Sequence, residues 1–292
     1  MTVPALSPRV LRLPRRGRLL VATDLHGNLG DFRRLRELFE RAHEQAQGEA
    51  QLLLTGDLIH GPNYSARDWP DFMGSYYEDQ SGALLDEFLV LQQRFPGQVH
   101  SLLGNHEHSH IGGPHTPKFW LDETQHFEDT VGPERAARYR AAFLQFPLVA
   151  RADCGVAVAH AAPNVVIDGA AALDSLPYDG YEQMRLDQVE AMPPLGRLLW
   201  ARRAPKAVAR AFLRALSGQE GPPLQLAVFG HEVVNEGYSR VGDEQLVLSS
   251  SFGLHDAHKH YLELDLAGSY RTTAELEVGR ELLPLYGDTR SR

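Results

Sequence analysis

The chain has 292 residues, 43% of them hydrophobic and 23% charged, the balance of an ordinary globular protein long enough for a substantial core. Its 29 basic and 38 acidic side chains leave a formal net charge of −9, which argues against a general nucleic-acid or anionic-membrane binder. The only cysteine, Cys154, excludes an intrachain disulfide or a thiolate cluster, and no apolar run approaches the roughly 18 residues of a membrane span.

Residues 1–18 read as an N-terminal arm, because residues 9–18 carry five arginines and suggest a solvated lead-in to the first strand. No apolar core follows them, so no secretory signal is expected and a cytoplasmic location is the default. Residues 19–292 read as a single domain without repeats. Leu19, Leu20, Val21 and Ala22 predict a short buried strand that stops in a polar cluster, Asp24-Leu25-His26-Gly27-Asn28. In extended chain Asp24 and His26 project from the same side and suit a divalent metal. Alone the pair is weak, since a helix-capping Asp beside a surface His gives the same pattern.

Residues 31–46 carry Phe32, Leu35, Leu38, Phe39 and Ala42 at helical spacing. A second apolar strand over 51–55 runs into Gly56-Asp57. Residues 62–81 hold Trp69, Phe72, Tyr76 and Tyr77 among acids. They read either as a packed surface loop or as a wall or lid over a site. A helix over 82–95 closes at Pro96-Gly97, and a strand over 99–103 runs into Gly104-Asn105-His106-Glu107.

Further on, 133–146 is helical, and strands at 148–152 and 156–159 meet at a turn over 153–155. Cys154 at that turn reads as a packing thiol, and the second strand delivers His160. Residues 206–216 form an amphipathic covering helix, and a strand at 226–229 delivers Gly230-His231. Two last strands, 245–250 and 260–266, look antiparallel, with His255 and His258 in the loop joining them.

Strand after strand thus ends in polar groups, the placement rule for active sites in α/β proteins. The set Asp24, His26, Asp57, Asn105, His106, His160 and His231 offers oxygen and nitrogen but no sulfur, which suits Mn, Fe, Zn or Mg. Even six of these seven as ligands are too many for one open catalytic ion and appropriate for two. Asp57 is the candidate for the carboxylate that bridges them.

These motifs, with the run Gly230-His231-Glu232-Val233-Val234-Asn235-Glu236-Gly237-Tyr238 and Leu198-Leu199-Trp200 upstream, resemble the calcineurin-like metallophosphoesterases, and within them the phosphoprotein phosphatase branch. The resemblance covers about residues 19–266. It implies an α/β fold of the metallophosphoesterase type, a two-sheet β-sandwich flanked by α-helices. By the same resemblance Asp24 and His26 belong to a first metal, Asp57 bridges, and Asn105, His160 and His231 belong to a second. His106 is then a general acid. The implied chemistry is phosphomonoester hydrolysis by a hydroxide held between two divalent metals, with manganese the ion expected to support activity in vitro.

One motif departs from the branch. Gly56-Asp57-Leu58-Ile59-His60-Gly61-Pro62 is one residue short and lacks the second Asp, which orients the acid histidine, and the Arg that grips phosphate. Asp68, Asp71 or Glu107 are candidates for the carboxylate, and Arg67, Arg202 or Arg203 for the clamp. Arg202 and Arg203 are favoured because they follow Leu198-Leu199-Trp200. His108, His110, His115, His258 and His260 read as surface or supporting groups. His255 is kept as a site candidate because in the related fold its loop borders the metals.

The expected partner is therefore a phosphorylated substrate, a phosphoprotein or a small phosphoester. A dinucleoside polyphosphate hydrolase is the enzymatic alternative, since the aromatic segment could stack a nucleobase. A catalytically inactive binding module is the alternative of another class. Retention of all seven side chains argues against it.

Overall fold

The computed structural model describes residues 8–118, 121–188, 191–218 and 222–287. The first half runs β1 (Val10–Arg12), β2 (Arg18–Ala22), α1 (Leu29–Gln45), β3 (Ala50–Leu54), α2 (Ser81–Arg94), β4 (Val99–Ser101) and the one-turn α3 (Asn105–His108). A small ribbon of β5 (Pro117–Lys118) and β6 (Leu121–Asp122) precedes α4 (Glu123–Val131) and α5 (Pro133–Phe143). The second half runs β7 (Val149–Ala152), β8 (Val156–Ala159), α6 (Ala171–Asp174), α7 (Pro194–Trp200), α8 (Lys206–Ser217) and β9 (Leu226–Phe229). It finishes with β10 (Tyr238–Val241), β11 (Gln245–Leu248), β12 (His260–Asp265) and β13 (Leu282–Pro284). No described helix is long and apolar enough to cross a membrane.

Two sheets result, in the orders β1-β7-β8-β9-β11-β10 and β13-β12-β2-β3-β4. Each strand of the central pair β2 and β3 is buried on both faces, which is why both read as unbroken apolar runs rather than alternating ones. Leu19, Val21 and Leu53 point into the sandwich against Ala150, Val156, Val158, Leu226, Val228 and Leu246. Leu20, Ala22, Leu52 and Leu54 point the other way, onto Phe32, Leu35 and Phe39 of α1 and Leu84 and Phe88 of α2. Full burial of each of these leucine, valine and phenylalanine side chains contributes about 1.5–3 kcal/mol. Strands β2, β3 and β4 are parallel, as are β8 and β9, so their C-terminal ends open on common edges.

Two expectations need correction. Residues 10–12 of the expected arm are not solvated lead-in: they pair parallel with β7, Val10 opposite Val149, and close the edge of the larger sheet. Arg9 is buried with its guanidinium 3.3 Å from the Tyr178 ring, a cation–π contact that offsets its desolvation. Residues 1–7 lie outside the described residues. The strands read at 245–250 and 260–266 do form, but not with each other. β11 pairs with β9 and β10 in one sheet and β12 with β2 and β13 in the other, so their loop crosses between sheets. The hairpin of β7 and β8 turns at 153–155 as expected, and Cys154 is buried, its thiol pushed up to about 11 by that burial.

The segment 62–81, up to Ser81 where α2 begins, has one 3₁₀ turn, Asp71–Met73, and is otherwise without helix or strand. It holds its shape through its own aromatics. Trp69 donates from Nε1 to the Gly74 carbonyl at 2.8 Å and meets Tyr76 and Tyr77 edge-on at 5.3 and 5.4 Å. Phe72 remains 80% exposed.

A buried charge ties the β12–β13 edge of the smaller sheet to the first motif. Asn28 caps α1 by accepting the Asp31 N–H. The Asp31 carboxylate accepts from Asn28, Ser251 and Tyr286 and pairs at 2.9 Å with Lys259, itself 2% exposed. Lys259→Met is expected to cost about 3–5 kcal/mol in chemical denaturation, because it strands a buried carboxylate. A loss of about 1 kcal/mol or less, the worth of an exposed pair, would contradict that reading.

Candidate metal centre

Five strand ends bring the motifs together, and the backbone there is strained. Asp24, His26, Asp57, His60 and His231 all have φ between 41° and 64°, the left-handed region that side chains disfavour. Gln47 is the only other such non-glycine residue among those described. Each costs on the order of 1–3 kcal/mol and persists only because the surroundings over-determine it. Interlocking backbone bonds supply that restraint. His26 donates to the Asp57 carbonyl at 2.9 Å and Gly27 to the Leu58 carbonyl at 2.8 Å. The His231 amide donates to the Asp24 carboxylate, and the His106 amide to Asp57 Oδ1 at 3.1 Å.

Two glycines of the motifs are sterically required. A Cβ on Gly104 would lie 2.2 Å from Asp57 Oδ1, and one on Gly230 would lie 2.2 Å from Asp24 Oδ2. Any larger residue would occupy the space of the carboxylate. Glu107, fully buried, accepts from the amides of Asp57, Leu58 and Gly104 at 2.7–3.0 Å and so fixes Asp57 from behind.

The imidazoles are aimed by their outer nitrogens. His26 Nδ1 lies 3.1 Å from the Ile59 carbonyl, and His160 Nδ1 lies 3.0 Å from that of Thr55. A carbonyl only accepts, so each Nδ1 carries the proton and each Nε2 lone pair faces inward. His231 likewise bonds the Trp200 carbonyl, and its Nε2 is buried with no hydrogen-bond partner. Around Asp57 Oδ2 stand Nε2 of His26 at 3.6 Å, of His160 at 3.7 Å and of His106 at 3.9 Å. Asp57 thus belongs to two groups of side chains close enough to hold a metal ion, one with His26 and His106, the other with His160 and His231. His160 Nε2 also faces the Asn105 side-chain oxygen at 2.9 Å. Inward lone pairs this close call for a shared cation.

The electrostatics agree. Burial, and then the charge of Asp57, pushes Asp24 up to about 7, and the same two causes push Glu107 up to about 7. Burial depresses His160, and holds His231 well below the usual range with help from His160, Arg202 and His26. A buried site that penalises its carboxylates' charge and leaves its imidazoles neutral is relieved by added positive charge.

The centre opens into a cavity of about 280 Å³ lined by Asp24, His26, Asp57, Asn105, His106 and His231, with Trp200, Arg202, Glu232 and Phe252 on its walls. His160 lies beneath it, fully buried. Of the expected phosphate-binding residues only Arg202 lines this cavity, its Nη1 held 2.8 Å from Glu232 Oε2. Arg67, Arg203 and His255 are exposed residues that do not line it.

The partner of His106 is not among the carboxylates proposed for it. Glu107 is committed to backbone amides, and Asp68 and Asp71 lie on the exposed loop. Instead His60 Nδ1 meets His106 Nδ1 at 2.8 Å, with Glu123 Oε2 3.6 Å away. Of the two roles open to His108 and His110, surface or supporting, the structure gives them the second, since both are buried. His108 bonds the Tyr178 carbonyl, and burial pushes it down to about 4. The available signal for His60 was the shortened motif itself.

A two-sheet α/β sandwich that converges Asp, Asn and His at its strand ends defines a metal-dependent phosphoester hydrolase. The chain belongs to the calcineurin-like phosphoesterase family, whose sequence model matches residues 17–235. No curated protein is significantly similar to it in sequence. Among solved structures it is similar to a protein serine/threonine phosphatase from Saccharomyces cerevisiae with similarity to human phosphatase PP5. That match has a TM-score of 0.56 and 15% identity, over 89% of this chain and 77% of the yeast chain. It is also similar to the cold-active protein-tyrosine phosphatase of a psychrophilic Shewanella species, with a TM-score of 0.58 and 14% identity over 90% of this chain and 78% of that one.

Proposed function

We propose that the protein is a dinuclear phosphomonoesterase, acting on phosphoproteins or small alkyl phosphates, with His106 as general acid. The observation that carries the reading is the convergence of three imidazole Nε2 atoms within 3.9 Å of one Asp57 oxygen shared by two ligand groups. Asp24, His26 and Asp57 would hold one divalent ion, and Asp57, Asn105, His160 and His231 the other. Such ions supply a water of lowered pKa and charge neutralisation at the phosphoryl oxygens.

The side chains do the rest. Asp57 keeps the two sites in register, and Glu107 keeps Asp57 in place. Arg202, at the cavity wall, is placed to bind a phosphoryl oxygen if it exchanges Glu232 for the substrate. His106 presents Nε2 to the ester oxygen, which takes its proton as the bond to phosphorus breaks. The serine/threonine and tyrosine phosphatases of similar fold make phosphopeptides the first substrates to test.

The test is metal-stripped protein reloaded with manganese and assayed on an aryl phosphate, phosphopeptides, diadenosine tetraphosphate and a phosphodiester. Monoester hydrolysis is the expected result. Turnover of the dinucleotide alone would favour the polyphosphate hydrolase, and activity on none the binding module.

Metal uptake should also depend on pH. Asp24, at about 7 in the metal-free protein, is protonated below that value, and a cation must displace the proton. Affinity is therefore expected to weaken roughly tenfold per unit as pH falls below 7, with proton release seen by calorimetry in buffers of different ionisation enthalpy. An affinity flat between about pH 5 and 8 would contradict this assignment.

A further inference from the structure

The proposed acid is the first ring of a buried chain. His60 Nδ1 lies 2.8 Å from His106 Nδ1, His60 Nε2 lies 3.0 Å from His110 Nε2, and His110 Nδ1 lies 2.9 Å from Glu128 Oε1. The three rings stack as tilted or edge-on neighbours 5.0–5.1 Å apart, walled by Phe127. Glu128, on α4, is shared with Arg140 of α5 at 2.7 Å.

Elementary donor arithmetic gives this chain a direction. Glu128 accepts and does not donate: burial pushes its carboxyl up, but the bonds from His110 and Arg140 outweigh that and hold it below the usual range. His110 Nδ1 must therefore be N–H. Burial holds His110 below its usual value against the pull of Glu128, so the ring is neutral and its Nε2 is an acceptor. His60 Nε2 must then donate, and a neutral His60 ring accepts at Nδ1. That fixes a proton on His106 Nδ1.

We propose that His60, His110 and Glu128 form a positioning relay that holds His106 as its Nδ1–H tautomer and presents Nε2 to the leaving group. The relay rests on the reading of His106 as general acid. It substitutes, through two rings, for a carboxylate placed directly on the acid histidine. A neutral His106 that has given up its Nε2 proton is then already in the tautomer that can be recharged at the same atom.

The test uses three variants of the full chain and two readouts. His60→Phe keeps the ring and its packing but removes both nitrogens. His60→Asn restores one polar atom at the place of Nδ1, and Glu128→Gln alters the outer end of the chain at a side chain that is 27% exposed. In His60→Phe, turnover of an alkyl phosphate relative to an aryl phosphate is expected to fall roughly 10–100-fold, the usual effect of removing a supporting hydrogen bond. His60→Asn should recover most of that ratio, and Glu128→Gln should lower it several-fold. The second readout is nitrogen-15 NMR of the histidine rings in metal-free and zinc-loaded protein. It should report Nδ1–H on His106 in the native chain and a shift toward Nε2–H in His60→Phe.

An unchanged ratio and tautomer in both His60→Phe and Glu128→Gln would overturn the relay. So would loss of a third metal equivalent on His60→Phe, since it would mean that His60, His106 and Glu123 hold an ion instead. Should His60→Phe not fold, Glu128→Gln and the NMR spectrum of the native chain decide. His106→Asn distinguishes failure of the relay from failure of the acid reading: if it lowers the alkyl-to-aryl ratio while the relay variants leave it alone, only the relay is wrong.

Discussion

His106→Asn is expected to retain both metals and to lose about 10²–10⁴-fold in turnover of alkyl phosphates. Loss on aryl phosphates should be markedly smaller, because a phenolate departs without a proton. The difference follows from placement. His106 is the one imidazole at Asp57 whose Nδ1 bonds another imidazole and not a backbone carbonyl, and its Nε2 stands farthest from Asp57 Oδ2, at 3.9 Å. A ligand is anchored rigidly by its outer nitrogen, whereas an acid needs a partner that tolerates its change of charge. The measurement is kcat on a matched pair of alkyl and aryl phosphates together with metal content by elemental analysis. Equal losses on both esters would remove the acid role, and loss of a metal would make His106 a ligand.

Asp57→Asn should have the larger effect on assembly. Two divalent ions about 4 Å apart repel each other by roughly 16 kcal/mol at an effective dielectric of 20, and a shared carboxylate is what offsets this. Asparagine keeps the shape and the acceptor for the His106 amide but removes the negative charge. We expect bound metal to fall from two equivalents toward one or none. Activity should drop by well over the roughly 10–100-fold caused by losing a supporting group. Removing that charge also removes a cause of the raised Asp24 value, so Asp24 should titrate lower in the metal-free variant. Full occupancy with two ions would show that Asp57 does not bridge.

Much of this was legible in the chain because the central strands are buried on both sides. Residues 19–22, 51–55, 156–159 and 226–229 read as strands without alternation, and polar motifs at their ends stand out sharply against such runs. What escaped was non-local. β1 is an edge strand beside five arginines, and the groups that make burial of Arg9 tolerable, the Tyr178 ring and the Leu144 carbonyl, lie more than a hundred residues away in the chain. The separation of β11 and β12 into different sheets depends on which neighbours each finds, and their own apolar patterns are alike. His60 was hidden for a related reason. A histidine that supports another histidine leaves no spacing rule, and the chain through His110 to Glu128 joins three elements that only the fold brings together. For His108 and His110 the polar motif left surface and supporting roles open, and it is the helices α4 and α5 and the Tyr178 segment closing over them that decide for the second.

The sharpest test is anomalous diffraction from crystals of this protein soaked in manganese. Two peaks are expected about 3.5–4 Å apart, both within bonding reach of Asp57, one also ligated by His26 and Asp24 and the other by Asn105, His160 and His231, with His106 bonded to neither. A single peak, a peak bonded to His106, or no anomalous density between Asp24, Asp57 and His231 would contradict the account.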